Sequence, residues 1–291
     1  MPQEMLSKSS TPTARTRKKT RPWYRTAVQS FFFILVALIS LNQILKEAGL
    51  AIPFLSEASL HAICPFGGVV SIYKFATVGT FVQKIHESSF ILMFIAFMLA
   101  ILFGPVICGW VCPFGTFQEW VGKLGRKIFK KKYNQLIPNN FDKYLRFIRY
   151  IILLLVIYKT AITAKLMFQD VDPYYALFNF WSDEVSVTAL IVLGVTILLS
   201  LFVERPWCKY ACPYGAVLGI FNLFRLFKIR RNSTACINCK ACDKACPINI
   251  SVSTGAAVLN HQCISCMKCT SENTCPVAGT VELSIREGKN E

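Results

Sequence analysis

Four long apolar stretches, a cysteine-rich C-terminal end and a one-sided distribution of positive charge predict the fold class. They point to an α-helical membrane protein with four transmembrane helices, followed by a small α+β domain held by cysteine ligands. The chain has 291 residues, 54% of them hydrophobic and only 16% charged, with a mean hydropathy of +0.44. That composition suits a bilayer protein with a small soluble appendage. The apolar stretches are Thr26–Leu45, Ser88–Ile107, Phe147–Leu166 and Val185–Val203. Each approaches the roughly 20 residues that a helix needs to cross a ~30 Å hydrocarbon core. The second carries no charge from Phe90 to Ile107, whereas the third holds Arg149, Lys159 and Lys165, which can snorkel toward the interfaces. The expected organisation is a basic cytoplasmic segment (1–25), a four-span membrane domain (26–232) and a C-terminal domain with its tail (233–291).

Charge sets the orientation. With the N-terminus inside, 27 of the 32 Lys and Arg fall on the cytoplasmic side, a positive-inside bias. The net charge of +16 is therefore accounted for by lipid and topology rather than by nucleic acid. The run Arg15-Thr-Arg17-Lys18-Lys19-Thr-Arg21 reads as a juxtamembrane anchor on anionic lipid. The first span has no small-residue cleavage site and is an anchor rather than a signal peptide. Residues Ala62–Phe81 are fairly apolar, but a fifth span there would turn the Lys123–Lys132 loop outward. They are expected as an outer loop or re-entrant segment. The protein is thus expected in the cytoplasmic (plasma) membrane, multi-pass, with both termini cytoplasmic.

The C-terminal domain holds two cysteine runs: Cys236-x2-Cys239-x2-Cys242-x3-Cys246-Pro247, then Cys263-x2-Cys266-x2-Cys269-x5-Cys275-Pro276. The first has the spacing of bacterial two-cluster ferredoxins, in which three thiolates grip one [4Fe–4S] cube and the fourth ligates the other. That rule places Cys236, Cys239, Cys242 and Cys275 on one cube, and Cys263, Cys266, Cys269 and Cys246 on the second. Zinc sites favour separated CxxC knuckles and disulfides favour secreted domains, so neither fits these triplets. The five-residue gap before Cys275 departs from the three-residue gap of the first run.

The membrane part is internally duplicated at an offset of 100 residues. Span two ends in Cys108-Gly-Trp-Val-Cys112-Pro-Phe-Gly, and span four in Cys208-Lys-Tyr-Ala-Cys212-Pro-Tyr-Gly. Cysteines at i and i+4 share a helix face, and the following Pro ends the turn. Two such pairs at one membrane face can bring four thiolates to a third metal or cluster, iron–sulfur, zinc or Cu(I); buried, inert cysteines are the alternative. After each copy an amphipathic segment is expected in the headgroup plane. Leu218, Phe221, Phe224 and Phe227 would form its apolar face in the second copy, beside Arg225 and Lys228. The remaining cysteine, Cys64, follows His61 in His61-Ala-Ile-Cys64-Pro; this pair is either a metal or redox-cofactor contact or a tight packed loop. None of the four spans contains a histidine, so an intramembrane bis-histidine haem is not supported.

Four spans, CGWVCPFG, CKYACPYG and the paired cysteine runs together resemble the NapH-type membrane ferredoxin family, with its NosR- and CcoG-like relatives. The resemblance spans about residues 27–283. It implies an electron-transfer subunit, a quinol dehydrogenase component in the NapH case, with a quinol or cytoplasmic redox donor and a membrane or extracytoplasmic redox partner protein. Its CcoG-like branch implies a metal-handling or assembly factor for a copper oxidase instead. A redox-sensing membrane scaffold is the third reading. No catalytic acid–base pair, nucleophile or phosphate loop is evident, and Phe227–Ser233 is expected as a short tether between the domains.

Overall fold

A computed structural model describes residues 23–47, 87–163, 167–182 and 185–285. His61, Cys64, the basic run at 15–21 and the segment Ala62–Phe81 lie outside the described residues. Among the described residues the chain is mainly helical up to Phe224 and then forms a small domain with one two-stranded sheet.

Helix α1 (Trp23–Glu47) contains the 20-residue stretch Trp23–Asn42, the one helix among the described residues that is long and apolar enough to cross a bilayer. Three further apolar helices coincide with the other expected spans: α2 (Glu87–Phe103), α5 (Ile148–Thr163) and α7 (Val187–Ser200). At 17 and 14 residues α2 and α7 are shorter than the expected stretches, and α5 is described over 16 residues. The reasons are local. Helix α2 stops where Gly104 turns left-handed (φ 84°) before Pro105. Helix α7 starts at Ser186, whose hydroxyl accepts the Ala189 N–H, and Leu201–Val203 leave the helix in turns.

Between these lie α3 (Pro113–Phe129), α4 (Asn139–Leu145), α6 (Pro173–Phe178), α8 (Pro206–Tyr210) and α9 (Pro213–Phe221). The two halves of the repeat pack in exchange. Helix α1 lies on α3 of its own half, and α5 on α9 of its own; α7 crosses to α3 and α2 to α9. Because α2 and α7 each lean on the other half, both C-x3-C-P ends arrive at the same place. Aromatic rings fill the seams: Phe33 lies 4.9 Å from Trp120 and 5.6 Å from Phe178, and Phe97 lies 4.7 Å from Phe221. The segment 167–182, expected outside, folds back so that Tyr174 and Ala176 pack with Phe114 and Cys112.

The sequence places a tether at Phe227–Ser233, but Lys228–Arg231 forms β1, antiparallel to β2 (Val281–Ser284) with Lys228 opposite Ser284. Leu226 N–H and Phe227 N–H also donate to Ile101 and Leu102 carbonyls at the end of α2. The C-terminal domain is thus stitched directly to the membrane part rather than hung from it. Its core is Ile229, Ile248, Ile250, Val252, Val258 and Val281 around the cysteines. One short helix, α10 (Ala241–Ala245), sits inside the first cysteine run.

Candidate iron–sulfur and thiolate sites

The two cysteine runs fold alike. Asn238 and Lys240 flank Cys239 with φ of 54° and 53°, and Ser265 and Met267 flank Cys266 with 46° and 55°. Left-handed residues without glycine are costly and persist where the surroundings demand them. Here they wrap each triplet into a concave turn, the kind of backbone that presents N–H groups to an anion.

Cys246 leaves the first run and joins the second. It lines one small cavity together with Cys263, Cys266 and Cys269, walled by Ile229, Ile248, Val252 and Val258. Burial, with Cys266 and Cys263 nearby, pushes the Cys246 thiol up to about 12. Cys236 and Cys242 are neighbours in the first run, Cys239 is exposed, and Cys275 packs against the same core. Burial favours the neutral thiol at Cys246, Cys266 and Cys269; a cluster would take them as thiolates, since metal binding releases their protons. The pocket carries a positive charge that such an anionic group would satisfy. Arg225, 1% exposed, donates to Cys263 Sγ at 3.6 Å, and among the described residues it has no carboxylate partner. The residues present therefore fit iron–sulfur cubes.

The C-x3-C-P motifs form a second layer beneath. Ile107–Val111 is a π-helical turn, and Cys112 N–H reaches back to the Ile107 carbonyl; Cys212 N–H makes the same long closure on Trp207. This differs from the expected α-turn, and it belongs to the π-bulges that recur at functional sites. Cys112 and Cys212 are also N-caps. Their sulfurs accept the N–H of Gly115 (3.5 Å) and Gly215 (3.3 Å), with Pro at the first helical position. The C-P-aromatic-G spelling is therefore a helix start that places a sulfur at the positive end of the dipole. Gln118 Nε2 donates to Cys208 Sγ at 3.5 Å. Burial pushes all four thiols up, Cys208 to about 11; Cys108, Cys208 and Cys212 are raised further by one another or by Cys112. Among the described residues no three His, Cys, Asp or Glu side chains converge tightly enough for a single metal ion. A cube binds each thiolate through a different iron, so that geometry bears on single ions.

The two layers touch. Cys108 packs against the ferredoxin core, Trp110 Nε1 donates to Ser265 O at 3.0 Å, and a Cβ on Gly109 would lie 2.5 Å from Ile264 O. A buried ionic network clamps the contact. Glu119, 4% exposed, accepts from Arg25 (2.8 Å), Arg205 (2.9 Å) and Lys268 (2.9 Å). Burial would raise its carboxyl, but Arg205, Arg25 and Lys268 hold it well below the usual carboxylate range. Arg25 and Arg205 also donate to the carbonyls of Gly109 and Cys108, while Lys268 lies between Cys266 and Cys269 and bridges to Glu204 at 2.7 Å. The second motif has its own clamp: Lys209 pairs with Asp142 at 2.8 Å, and Arg146 joins Asp142 to the Asn249 carbonyl. Arg225, expected on the cationic margin of a surface helix, lies under the cysteine domain instead. Sequence reading missed these clamps; the signal available was the lone acid Glu119 inside a basic amphipathic helix.

Below the motifs is a cavity of about 350 Å³ lined by Cys112, Cys208 and Cys212 with Phe32, Trp207, Tyr214 and other apolar side chains. Asp172 and Tyr174 enter it from the folded-back segment. Asp172 caps α6 by accepting Tyr174 N–H at 3.1 Å, and burial raises its carboxyl to about 7 against that hydrogen bond.

Comparison with known proteins bears on these layers. The family model described as a 4Fe-4S binding domain matches twice, over residues 85–132 and 185–232, the two halves of the C-x3-C-P repeat. The chain is 31% identical to YccM of Escherichia coli K12 over 77% of its own length and 63% of the relative's, so the match spans less than two-thirds of that protein. It is 31% identical to protein MJ0750 of Methanocaldococcus jannaschii, over 79% of this chain and 91% of the relative. The ferredoxin-type protein NapH of Haemophilus influenzae is 28% identical over 60% of this chain and 61% of its own, and the regulatory protein NosR of Stutzerimonas stutzeri 28% over 59% and 24%. No solved structure matches. The chain belongs to the NapH/NosR-type family of iron–sulfur membrane proteins.

Proposed function

We propose that this protein is a membrane-embedded relay that passes single electrons between a cytoplasmic carrier and a quinone headgroup in the cavity below the C-x3-C-P layer. From there they reach a membrane or extracytoplasmic partner. One observation supports the reading: candidate ligand cysteines are distributed from the exposed Cys239, through the core of the C-terminal domain, to the cavity. Cys242 and Cys236 lie behind it, Cys246 crosses to Cys263, Cys266 and Cys269, Cys108 packs on that same core, and Cys112, Cys208 and Cys212 line the cavity.

In this reading Cys236, Cys239, Cys242 and Cys275 hold one cube, and Cys263, Cys266, Cys269 and Cys246 the other. Cys108, Cys112, Cys208 and Cys212 hold a third thiolate centre. The clusters supply one-electron chemistry; the chain's own residues set their charge, burial and spacing. Arg231 donates to Cys236 Sγ at 3.4 Å and Arg225 to Cys263 Sγ. Hydrogen bonds to ligating sulfur tune such groups. Asp172 accepts or returns a proton at the quinone oxygen, a role suited to a carboxyl near 7. The aromatic walls exclude water from the ring.

Four spans with both termini cytoplasmic complete the reading. The 27 cytoplasmic Lys and Arg support that orientation and offer a basic surface to an acidic donor protein. The test is anaerobic purification with iron and sulfide analysis and EPR. Cys239→Ser removes one cube signal and leaves the other; a preparation without acid-labile sulfide, or one whose metal is copper, overturns the relay. A reporter fused after Glu291 is active in the cytoplasm; activity on the outer side inverts the topology.

A further inference from the structure

Two buried guanidiniums near the second cysteine run lack a carboxylate among the described residues. Arg149 donates to Tyr150 Oη and the His261 carbonyl. Arg225 donates to the Val258 carbonyl, to Ser265 Oγ at 3.4 Å and to Cys263 Sγ at 3.6 Å, and among the described residues its Nε has no acceptor. A fully desolvated charge is strongly unfavourable unless an opposite charge meets it. The other cations at this interface are spoken for: Arg25, Arg205 and Lys268 share Glu119, and Lys268 and Arg126 share Glu204. Arg225 is aimed at a sulfur that belongs to the candidate cluster pocket. Its counter-charge is therefore the anionic group those sulfurs would hold.

The first run is surrounded differently. The cation bonded to its sulfur, Arg231, is half-buried, Lys240 and Lys244 are exposed, and Asp243 inside the run has Oδ1 3.8 Å from Cys242 Sγ. Cys239 is exposed to water. Added negative charge is thus opposed by a carboxylate and screened by solvent at the first run. At the second it meets an unscreened cation at low dielectric. Burial itself disfavours added negative charge; the two guanidinium–sulfur contacts are of similar length, 3.4 Å at Cys236 and 3.6 Å at Cys263, but only Arg225 is fully buried, and its unscreened charge outweighs the burial.

We infer that Arg225 is the electrostatic counter-charge of the membrane-side cube and sets its midpoint potential above that of the cytoplasm-side cube. An electron shared by the pair then resides next to the C-x3-C-P layer. When it moves there, the cytoplasm-side cube is oxidised by one electron and the membrane-side cube reduced by one, with no proton or further reactant required. The inference rests on the ligand assignment proposed above, and goes beyond it by ordering the two potentials.

The experiment is an EPR-monitored redox titration of the purified full-length protein, with iron and sulfide measured on each sample. Cys239→Ser identifies which signal belongs to the first cube. In the native protein the second cube titrates at the higher potential. Arg225→Gln keeps the iron and shifts the electron distribution at least tenfold toward the first cube, about 59 mV for a one-electron couple. Arg225→Lys, which keeps the charge, holds most of the native potential, and Arg231→Gln moves the first cube alone. The inference is overturned by an Arg225→Gln protein with full iron and an unmoved potential, or by a first cube that titrates higher in the native protein. If Arg225→Gln loses iron, Arg225→Lys decides: retained iron and potential support the counter-charge, and loss of iron there too shows a packing role and overturns it. Absence of cubes from the native protein would instead refute the relay itself.

Discussion

Replacing Glu119 by Gln removes one negative charge and almost no volume from the contact between the two redox layers. Glu119 is 4% exposed and faces Arg25, Arg205 and Lys268, each within 2.9 Å. Removing one partner of a buried ionic group costs about 3–5 kcal/mol, because the partners stay buried and uncompensated. Gln can still accept hydrogen bonds and Glu204 still holds Lys268, so the lower end applies, about 3 kcal/mol. For a chain of this size that corresponds to a fall of roughly 6–12 °C in the thermal transition. The assay is anaerobic melting of the detergent-solubilised protein, followed by cluster absorbance and by proteolysis within the cysteine domain. Undocking precedes loss of the helical signal. A Glu119→Gln protein that melts within about 2 °C of native, with unchanged proteolysis, would refute the clamp. The sign with pH also follows. The carboxyl is depressed, so its stabilisation is complete above its unfolded value of 4.5 and is lost only as pH falls far below that. Between pH 6 and 9 Glu119 therefore adds no pH dependence to docking.

Three further outcomes are expected. Gly109→Ala places a methyl against the Ile264 carbonyl and Cys266 Cα, at 2.5 and 3.2 Å, so it loosens the same contact; protease sensitivity of the cysteine domain rises while the helical signal holds. Asp172→Asn removes the titrating group of the cavity: quinone reduction by the native protein falls as pH rises through about 7 and Asp172 loses the proton it would deliver, and the variant loses that step while retaining both cube signals. Paired replacement of Cys208 and Cys212 by Ser leaves the two ferredoxin-type signals intact and stops electron exchange with quinone; loss of all signals would mean that the motifs carry the fold instead.

The candidate sulfur ligands are legible because they are spelled by spacing. The expected interlock of Cys246 with the second run comes from the three-plus-one rule of two-cluster ferredoxins, and in the structure Cys246 lines one cavity with Cys263, Cys266 and Cys269. The repeat was legible from CGWVCPFG and CKYACPYG. What periodicity could not carry was the exchange of partners between halves, because α2 and α7 are apolar on every face and give no direction to their packing. Arg225 and Glu119 were misplaced or overlooked for a related reason. A charged residue in an amphipathic helix reads as solvated, and only the tertiary contact shows it buried against another domain. Helix ends followed the same logic: Gly104 and Ser186 set the ends of α2 and α7 inside longer apolar runs.

The most direct test is cluster reoxidation by quinone in proteoliposomes. The protein is reduced anaerobically, a bilayer-soluble quinone is added, and the cluster absorbance is followed in stopped flow. The relay predicts rapid recovery in the native protein and none in the Cys208→Ser, Cys212→Ser double variant, with iron content unchanged at the ferredoxin-type cubes. Equal recovery in both proteins would show that electrons leave without crossing the C-x3-C-P layer, and would contradict the account.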